Sequence, residues 1–258
     1  MKRHPDAIID PKAEIDPSVE IGPFCLVGPN VKIGPGCRLV SHVVVDGHTQ
    51  IGANNTFFPF STMGGIPQDL KYKGEPTRLV IGDGNTFREN TTANLGTAQG
   101  GGVTSIGHHN LFMAYVHVGH DCRVGNHCIL ANYAGLAGHV TVEDYANLGG
   151  MVGVAQFLRV GAHCYITGQS GVEREVPPFT IATGSRPFVL RGANIVGLRR
   201  HGFDPQTIQT LNEVIKLWGR DDVPKDRCLI EIETQYGDCL PVREFVGFIR
   251  ESKAGVAK

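Results

Sequence analysis

An apolar residue recurs at every sixth position through most of this chain. One unbroken run extends from Ile9 to Met63, a second extends from Ile106 to Val172, and the phase returns between them at Ile81 and Phe87. Neither the period of an α-helix nor the alternation of a single β-strand produces this spacing. A hexapeptide period is typical of a parallel β-helix, so we predict a mainly β solenoid.

The same period converts distance along the sequence into distance in space. Three hexapeptides form one triangular coil, so residues 18 positions apart should stack in adjacent coils at the strand spacing of about 4.8 Å. The repeat has room for roughly eight coils. Counting in this way predicts two columns of stacked residues, His120–Gly138–Gln156 and Asn132–Gly150–Gly168.

The repeat is interrupted twice, near residues 64–78 and 94–104. The first stretch is polar and both are rich in glycine or proline, which indicates loops inserted into a β-helix domain that spans residues 1–184. In repeat proteins, insertions often lie on the binding face. Neutral surface decoration is the alternative interpretation of both loops.

The hexapeptide period ends after Pro178, and a helical pattern follows. Asp204 and Pro205 suit the start of a helix, whose apolar stripe continues to Trp218. Two further helices are predicted, one over residues 226–236 and one that begins near Pro241. We therefore expect a C-terminal α-helical domain over residues 185–258, which would cover the exposed strand edges at the end of the solenoid or form a subunit contact.

Composition excludes several classes of function. The formal net charge is −1, so no basic field favours nucleic acid. The seven cysteines form no C-x-x-C pair, which suggests reduced thiols and a cytoplasmic protein. The N-terminus lacks the apolar segment of a signal peptide, and no apolar run approaches the ~18 residues of a spanning helix. We expect neither nucleic-acid binding nor stable membrane insertion.

Three histidines should lie close together on the solenoid: His117, His120 and His139. Histidine accepts a proton near neutral pH, and the adjacent Asp121 could orient His120 as in a His–Asp dyad. The cluster therefore indicates a general base. Two alternatives are a zinc site formed by the three imidazoles, as in a zinc-dependent hydratase, and a non-enzymatic scaffold with a polar surface.

Two segments of the chain have highly specific sequences, Gln68-Asp-Leu-Lys-Tyr72 and His120-Asp-Cys122. Further distinctive segments are Ile21-Gly-Pro-Phe-Cys25, Ser41-His-Val-Val-Val45, Gly74-Glu-Pro-Thr-Arg78, Leu136-Ala-Gly-His139, Ser170-Gly-Val172 and Val176-Pro-Pro178. Together these segments resemble one family, the acyl-[acyl-carrier-protein]–UDP-N-acetylglucosamine O-acyltransferases. The resemblance covers essentially the whole chain, including the helical tail.

The resemblance implies a left-handed β-helix that assembles as a homotrimer, with active sites between subunits. It also implies transfer of a 3-hydroxyacyl chain from acyl-carrier protein to the 3-position of UDP-N-acetylglucosamine, the first step of lipid A synthesis. No cofactor or metal is implied. The sugar hydroxyl would attack the thioester directly, without a covalent enzyme intermediate.

Residue roles follow from the resemblance by position. His120 would take the proton from the hydroxyl, Asp121 would orient His120, and the backbone N–H of Gly138 would stabilise the oxyanion. Gly168 matches the position that sets acyl length, and a glycine there implies an open groove and a longer chain. The residues implied in substrate binding are Gln68, Asp69, Lys71, His117, His139, Gln156, Asn194 and Arg200.

Three positions depart from the family pattern. Ala155 stands where the family usually has a cleft histidine, Val196 replaces a glutamate expected near the nucleotide ribose, and His201 replaces the second of two basic residues. These departures leave a related N-acyltransferase, acting on a 3-amino sugar nucleotide, as an alternative activity.

Overall fold

Short parallel strands stack into three sheets that form the sides of a left-handed β-helix. The computed structural model describes residues 2–258. The first sheet has eleven strands among these residues: Lys2–Arg3, Glu20–Ile21, Arg38–Leu39, Thr56–Phe57, Thr86–Phe87, Leu111–Phe112, Ile129–Leu130, Asn147–Leu148, Tyr165–Ile166, Thr180–Thr183 and Val189–Ala193.

The other two sheets have nine and eight strands in the described part of the chain. The second sheet contains Ile8–Ile9, Leu26–Val27, Val44–Val45, Thr62–Gly65, Thr92–Asn94, His117–Val118, Gly135–Leu136, Gly153–Val154 and Gly171–Val172. The third contains Glu14–Ile15, Lys32–Ile33, His48–Ile51, Arg78–Ile81, Val103–Ile106, Arg123–Val124, Thr141–Val142 and Arg159–Val160. The chain visits the second, third and first sheets in turn, so three corners separate them.

The six-residue period places one apolar side chain per strand inside the coil. In most strands the first residue faces outward and the second is buried, as in His117–Val118. The interior is a continuous apolar column in which Phe57, Phe87 and Phe112 stack with ring centroids 4.9 and 4.7 Å apart. Burial of this column drives the winding, because each coil alone has little apolar surface to bury.

The stacking register continues across both insertions. Ile51 pairs with Ile81 and Ile81 with Ile106, although these residues are 30 and 25 positions apart rather than 18. Buried asparagines bridge the same coils: Asn85 donates its backbone N–H and side-chain amide to Asn55 Oδ1, and Asn110 donates likewise to Asn85 Oδ1. The extra residues are therefore expelled as loops without a change in the phase of the core.

The solenoid ends in a hairpin and four helices. Strand Thr180–Thr183 pairs antiparallel with Val189–Ala193. The helices that follow are α1 (Ile195–Arg200), α2 (Pro205–Trp218), α3 (Lys225–Tyr236) and α4 (Leu240–Glu251). They form a second apolar core around Trp218. No helix within residues 2–258 has the length and apolar character needed to cross a membrane.

Sequence analysis predicted α2, α3 and α4 but not α1. Asp204 accepts a hydrogen bond from the backbone N–H of Thr207, which is the N-cap expected at the start of α2. Helix α1 has only six residues, too few to show an apolar stripe at helical spacing. The basic residues Arg199 and Arg200 occupy its last turn, where they complement the helix dipole.

Candidate functional site

Both inserted loops begin at one corner of the solenoid. The His120–Asp121 pair lies at the same corner. Strands Thr62–Gly65, Thr92–Asn94 and His117–Val118 are consecutive neighbours in the second sheet. The first loop follows the first of these strands, the second loop follows the next, and His120 and Asp121 follow the third. The first loop therefore begins two coils before His120, and the second begins one coil before it, both at the corner where His120 lies.

The side chains of His120 and Asp121 form a buried dyad. His120 Nδ1 lies 2.8 Å from Asp121 Oδ2, and the two side chains are 8 % and 1 % exposed. A carboxylate in this position accepts the Nδ1 proton, which leaves the lone pair on Nε2 available. The geometry gives His120 the tautomer that a general base requires.

The second loop holds the carboxylate of Asp121 in place. Thr97 donates its backbone N–H to Oδ1 at 2.8 Å and its hydroxyl to Oδ2 at 2.7 Å. The backbone N–H of Asp121 is itself donated to Thr104 Oγ1. Sequence reasoning missed both residues. Thr97 lies in an insertion, where the repeat gives no register, and Thr104 lies in strand Val103–Ile106, at a position that the sequence analysis assigned to the loop.

The predicted column of His120 and Gly138 is present, with close contact between the two residues. A Cβ added at Gly138 would lie 2.6 Å from His120 Nε2, so only glycine leaves room for the ring. Within residues 2–258 the backbone N–H of Gly138 has no acceptor. An unpaired N–H beside the basic nitrogen is the arrangement that can stabilise a developing oxyanion.

The other two histidines of the cluster lie beside the dyad. His117 Nδ1 is 2.8 Å from Thr92 Oγ1, and burial together with the charge of His120 lowers the pKa of His117. The ring of His139 meets that of His120 edge-on at 5.0 Å and stacks on Phe157 at 4.4 Å. A neutral His117 can offer a hydrogen bond to a ligand without placing a positive charge beside His120.

The three-imidazole zinc site considered above is not formed. In the described part of the chain, the group with ligand atoms close enough to hold an ion is His120, Asp121 and His139, all within 4.8 Å, and it does not include His117. The carboxylate of Asp121 already accepts hydrogen bonds from His120 and twice from Thr97. These contacts use the carboxylate to orient the imidazole.

A cysteine next to the dyad is not suited to nucleophilic catalysis. Cys122 is fully buried, and its thiol donates to the carbonyl of Ala137. Burial raises the pKa of Cys122 to about 12, and the neighbouring charge of Asp121 contributes to the increase. The thiol stays neutral near pH 7, so it is a poor nucleophile at this position.

The first loop presents Gln68 and Lys71 to solvent near the same corner. Asp69 accepts the backbone N–H of Lys71 at 2.9 Å, which fixes the turn between them. The loop is tied to the next coil by Asn94, whose amide donates to the carbonyl of Ile66 at 3.1 Å. Asn94 Oδ1 is buried without a partner in the described chain, so it can accept a hydrogen bond from a ligand.

Glycines flatten the outer face of the second sheet beyond His117. Gly135 and Gly153 pair in register with His117 in the next two coils, and a Cβ at either would meet nothing within 4 Å. Gly168 lies at the corner on the other side of this sheet, stacked on Gly150 as predicted. Gln156 is exposed one coil beyond Gly138. Sequence analysis missed the two glycines of the flat face.

The structure places Asn194 and Arg200 at a different corner from His120. They line a cavity of about 530 Å³ between the first sheet and α1. Asn194 is also the N-cap of α1: its Oδ1 accepts from Gly197 N–H, and its amide donates to the carbonyl of His163. A single chain does not bring these residues to the dyad. The other side chains of the cavity are His127, Ile129, Tyr145, Ala146, Asn147, Tyr165, Ile181, Val196 and His201.

Both parts of the chain, the solenoid and the C-terminal region, match known protein families. Residues 12–47 and 104–138 match the bacterial transferase hexapeptide family, and residues 175–257 match the family described as UDP N-acetylglucosamine O-acyltransferase, domain 2. The repeat and the dyad corner thus define a hexapeptide-repeat transferase.

Similar structures have been solved from several organisms. LpxA from Acinetobacter baumannii shares 41 % identity at a TM-score of 0.95, with 99 % of each chain covered. LpxA from Bacteroides fragilis, a UDP-N-acetylglucosamine acyltransferase, shares 37 % sequence identity at a TM-score of 0.95. The Arabidopsis UDP-N-acetylglucosamine acyltransferase shares 31 % identity at a TM-score of 0.86. In both comparisons 99 % of each chain is covered. The chain belongs to the UDP-N-acetylglucosamine O-acyltransferase family and is an acyltransferase.

Proposed function

We propose that the protein transfers a 3-hydroxyacyl chain from acyl-carrier protein to the 3-hydroxyl of UDP-N-acetylglucosamine, the first step of lipid A synthesis, in the cytoplasm. The observation that carries the proposal is the buried dyad, whose free imidazole nitrogen lies close to Gly138, a residue with an unpaired backbone N–H among the described residues. A base and an oxyanion donor side by side suit attack of a hydroxyl on a thioester.

The proposed reaction needs no covalent enzyme intermediate. His120 Nε2 takes the proton of the sugar hydroxyl while its oxygen attacks the thioester carbonyl. The carbonyl oxygen gains negative charge and accepts a hydrogen bond from Gly138 N–H. Collapse of this intermediate breaks the carbon–sulfur bond, and the imidazolium returns its proton to the departing thiolate. Asp121 stabilises the imidazolium throughout.

The substrates are proposed to occupy the surfaces on either side of the dyad. The flat face of Gly135 and Gly153 gives the acyl chain a path along the second sheet towards Gly168. Lys71 and Asp69 would hold the sugar and its diphosphate, because the Lys71 ammonium is exposed at the same corner. His117, His139, Gln68 and Gln156 would line the cleft.

We infer that the working site requires a second copy of the chain. Asn194 and Arg200 lie at a corner of the coil that His120 does not share, so they can reach a substrate at the dyad only from a neighbouring subunit. A homotrimer provides such a neighbour at every site. In this arrangement Arg200 would bind the nucleotide or the pantetheine arm.

The proposal is tested with purified protein and a set of 3-hydroxyacyl carrier proteins, offered with UDP-N-acetylglucosamine or its 3-amino analogue. His120→Ala should lower turnover by at least about a thousandfold while the melting temperature is kept, because it removes the base. His48→Ala, an exposed histidine elsewhere on the solenoid, is the matched control. Turnover of His120→Ala near that of the wild type would refute the mechanism, and exclusive use of the amine would identify an N-acyltransferase.

A further inference from the structure

The second loop makes a contact with the dyad that the reaction outlined above does not use. Thr97 is 1 % exposed, and both of its polar hydrogens point at the carboxylate of Asp121. The Thr97 hydroxyl oxygen accepts the backbone N–H of Gly100 at 3.1 Å. Because that oxygen receives a hydrogen from Gly100, its own hydrogen is directed to Asp121 Oδ2.

The approach of this loop depends on the absence of a side chain at Gly100. A Cβ there would collide with the carboxyl group of Asp121. The next two residues, Gly101 and Gly102, have φ values of +94° and +79°, in the region that glycine adopts readily. The turn closes when Gly102 N–H is donated to the carbonyl of Thr97. The local sequence therefore allows the loop to pack directly against the carboxylate of Asp121.

Asp121 Oδ2 consequently accepts two side-chain hydrogen bonds, one from Thr97 Oγ1 at 2.7 Å and one from His120 Nδ1 at 2.8 Å. The Thr97 backbone N–H occupies the other carboxylate oxygen. With both oxygens engaged, the carboxylate cannot rotate without losing bonds to a charged group in a buried site. The plane of the carboxylate in turn sets the direction of the imidazole.

We propose that Thr97 is a positioning residue for acyl transfer, which acts through Asp121 to aim His120 at the acceptor. The inference rests on the proposed role of His120 as the base. It gives the second insertion a purpose beyond decoration: the loop completes the dyad from outside the hexapeptide repeat. In this proposal Thr97 acts only through the carboxylate of Asp121.

The test compares Thr97→Val with Thr97→Ser in steady-state acyl transfer. The valine variant keeps the backbone donor but loses the hydroxyl, and kcat should fall about tenfold to a hundredfold, the range for a hydrogen bond to a charged group. The KM values of both substrates should change by less than about twofold. The serine variant should restore most of kcat, because it restores the donor.

A pH profile separates positioning from a structural effect. A carboxylate that has lost a donor holds the imidazolium proton more tightly, so the acid limb of kcat/KM should move to higher pH in Thr97→Val. Thr91→Val is the matched control, since Thr91 is equally buried but its hydroxyl faces the carbonyls of Arg88 and Met113. That variant should leave the profile unchanged.

Gly100→Ala tests the same contact when Thr97→Val does not yield folded protein by circular dichroism and thermal melting. It retains both donors but displaces the carboxylate, so kcat should again fall without a rise in KM. Wild-type kcat and pH profile in Thr97→Val or Gly100→Ala, or an effect confined to KM, would overturn the positioning role. If His120→Ala were active in the same assay, the proposed function itself would fail instead.

Discussion

Asp121 Oδ2 lies 2.8 Å from His120 Nδ1 at a corner of the solenoid where the backbone of Asp121 has a φ of +60°. The left-handed conformation is uncommon for a residue other than glycine, and here it turns the carboxylate back onto the preceding imidazole. Adjacent residues in a strand would point to opposite faces instead. The corner geometry is what allows two consecutive residues to form a dyad.

Asp121→Asn should reduce kcat by at least about a hundredfold, because an amide cannot stabilise the imidazolium and can favour the wrong tautomer of His120. The acid limb of the kcat/KM profile should shift to lower pH, since the imidazolium loses its counter-charge. Asp144→Asn, which removes an acid at another corner, serves as a control. A wild-type rate and pH profile in the Asp121→Asn variant would show that the dyad is not used.

Lys71→Ala should raise the KM for the sugar nucleotide about tenfold with little change in kcat, because one exposed cation on a phosphate contributes roughly 1–2 kcal/mol. The effect should diminish as ionic strength rises. Lys73→Ala alters an exposed lysine of the same loop and should behave as wild type. Equal losses in the two variants would assign the effect to overall loop charge.

Gly168→Met should shift the preferred donor to a shorter acyl chain by at least about tenfold in relative kcat/KM, because the side chain would fill the path along the second sheet. Gly168→Ala is the internal control. Its Cβ would lie 3.1 Å from the carbonyl oxygen of Gly150, so it causes the same local crowding without blocking the groove. A similar chain-length preference in both variants and the wild type would remove Gly168 from the acyl site.

The unfolding free energy should fall as pH decreases from about 6.5 to 4, in part because of His163. Burial, with the charge of His201, lowers the pKa of His163 to about 4, against the opposing effect of Asp144. The unfolded chain therefore binds more protons than the folded chain in this window, and stability rises with pH across it. The contribution is about 1–2 kcal/mol, since the ring is partly exposed.

Thermal melts at several pH values check this expectation. His163→Phe keeps the ring stack with Tyr145 and Phe179 but cannot titrate, so its melting temperature should depend less on pH between 6.5 and 4. The variant also loses the contact at 2.9 Å between His163 Nδ1 and His201 Nδ1. A melting curve that moves with pH as steeply as that of the wild type would exclude His163 as the source.

The repeat made much of the site predictable. His120 and Gly138 could be placed together because hexapeptide stacking is local and regular. The breaks in the period, near residues 64–78 and 94–104, contain the two inserted non-strand segments of the structure, residues 66–77 and 95–102. Thr97 could not be found in this way. It lies in a coil that carries seven more residues than the 18 of a regular coil, so counting in eighteens does not show which residues its side chain meets. Neither could the position of Asn194, which depends on how the short helix α1 packs on the coil.

The asparagines of the core have a consequence for how the loops can change. Asn55, Asn85 and Asn110 connect consecutive coils at the two steps where the sequence spacing exceeds 18, and a slip of one coil would leave their buried amides unpaired. The stacking of the coils therefore does not depend on the length of the inserted loops. Loops of other sizes can be accommodated at the corner of His120 and Asp121, so substrate preference can diversify while the dyad keeps its place.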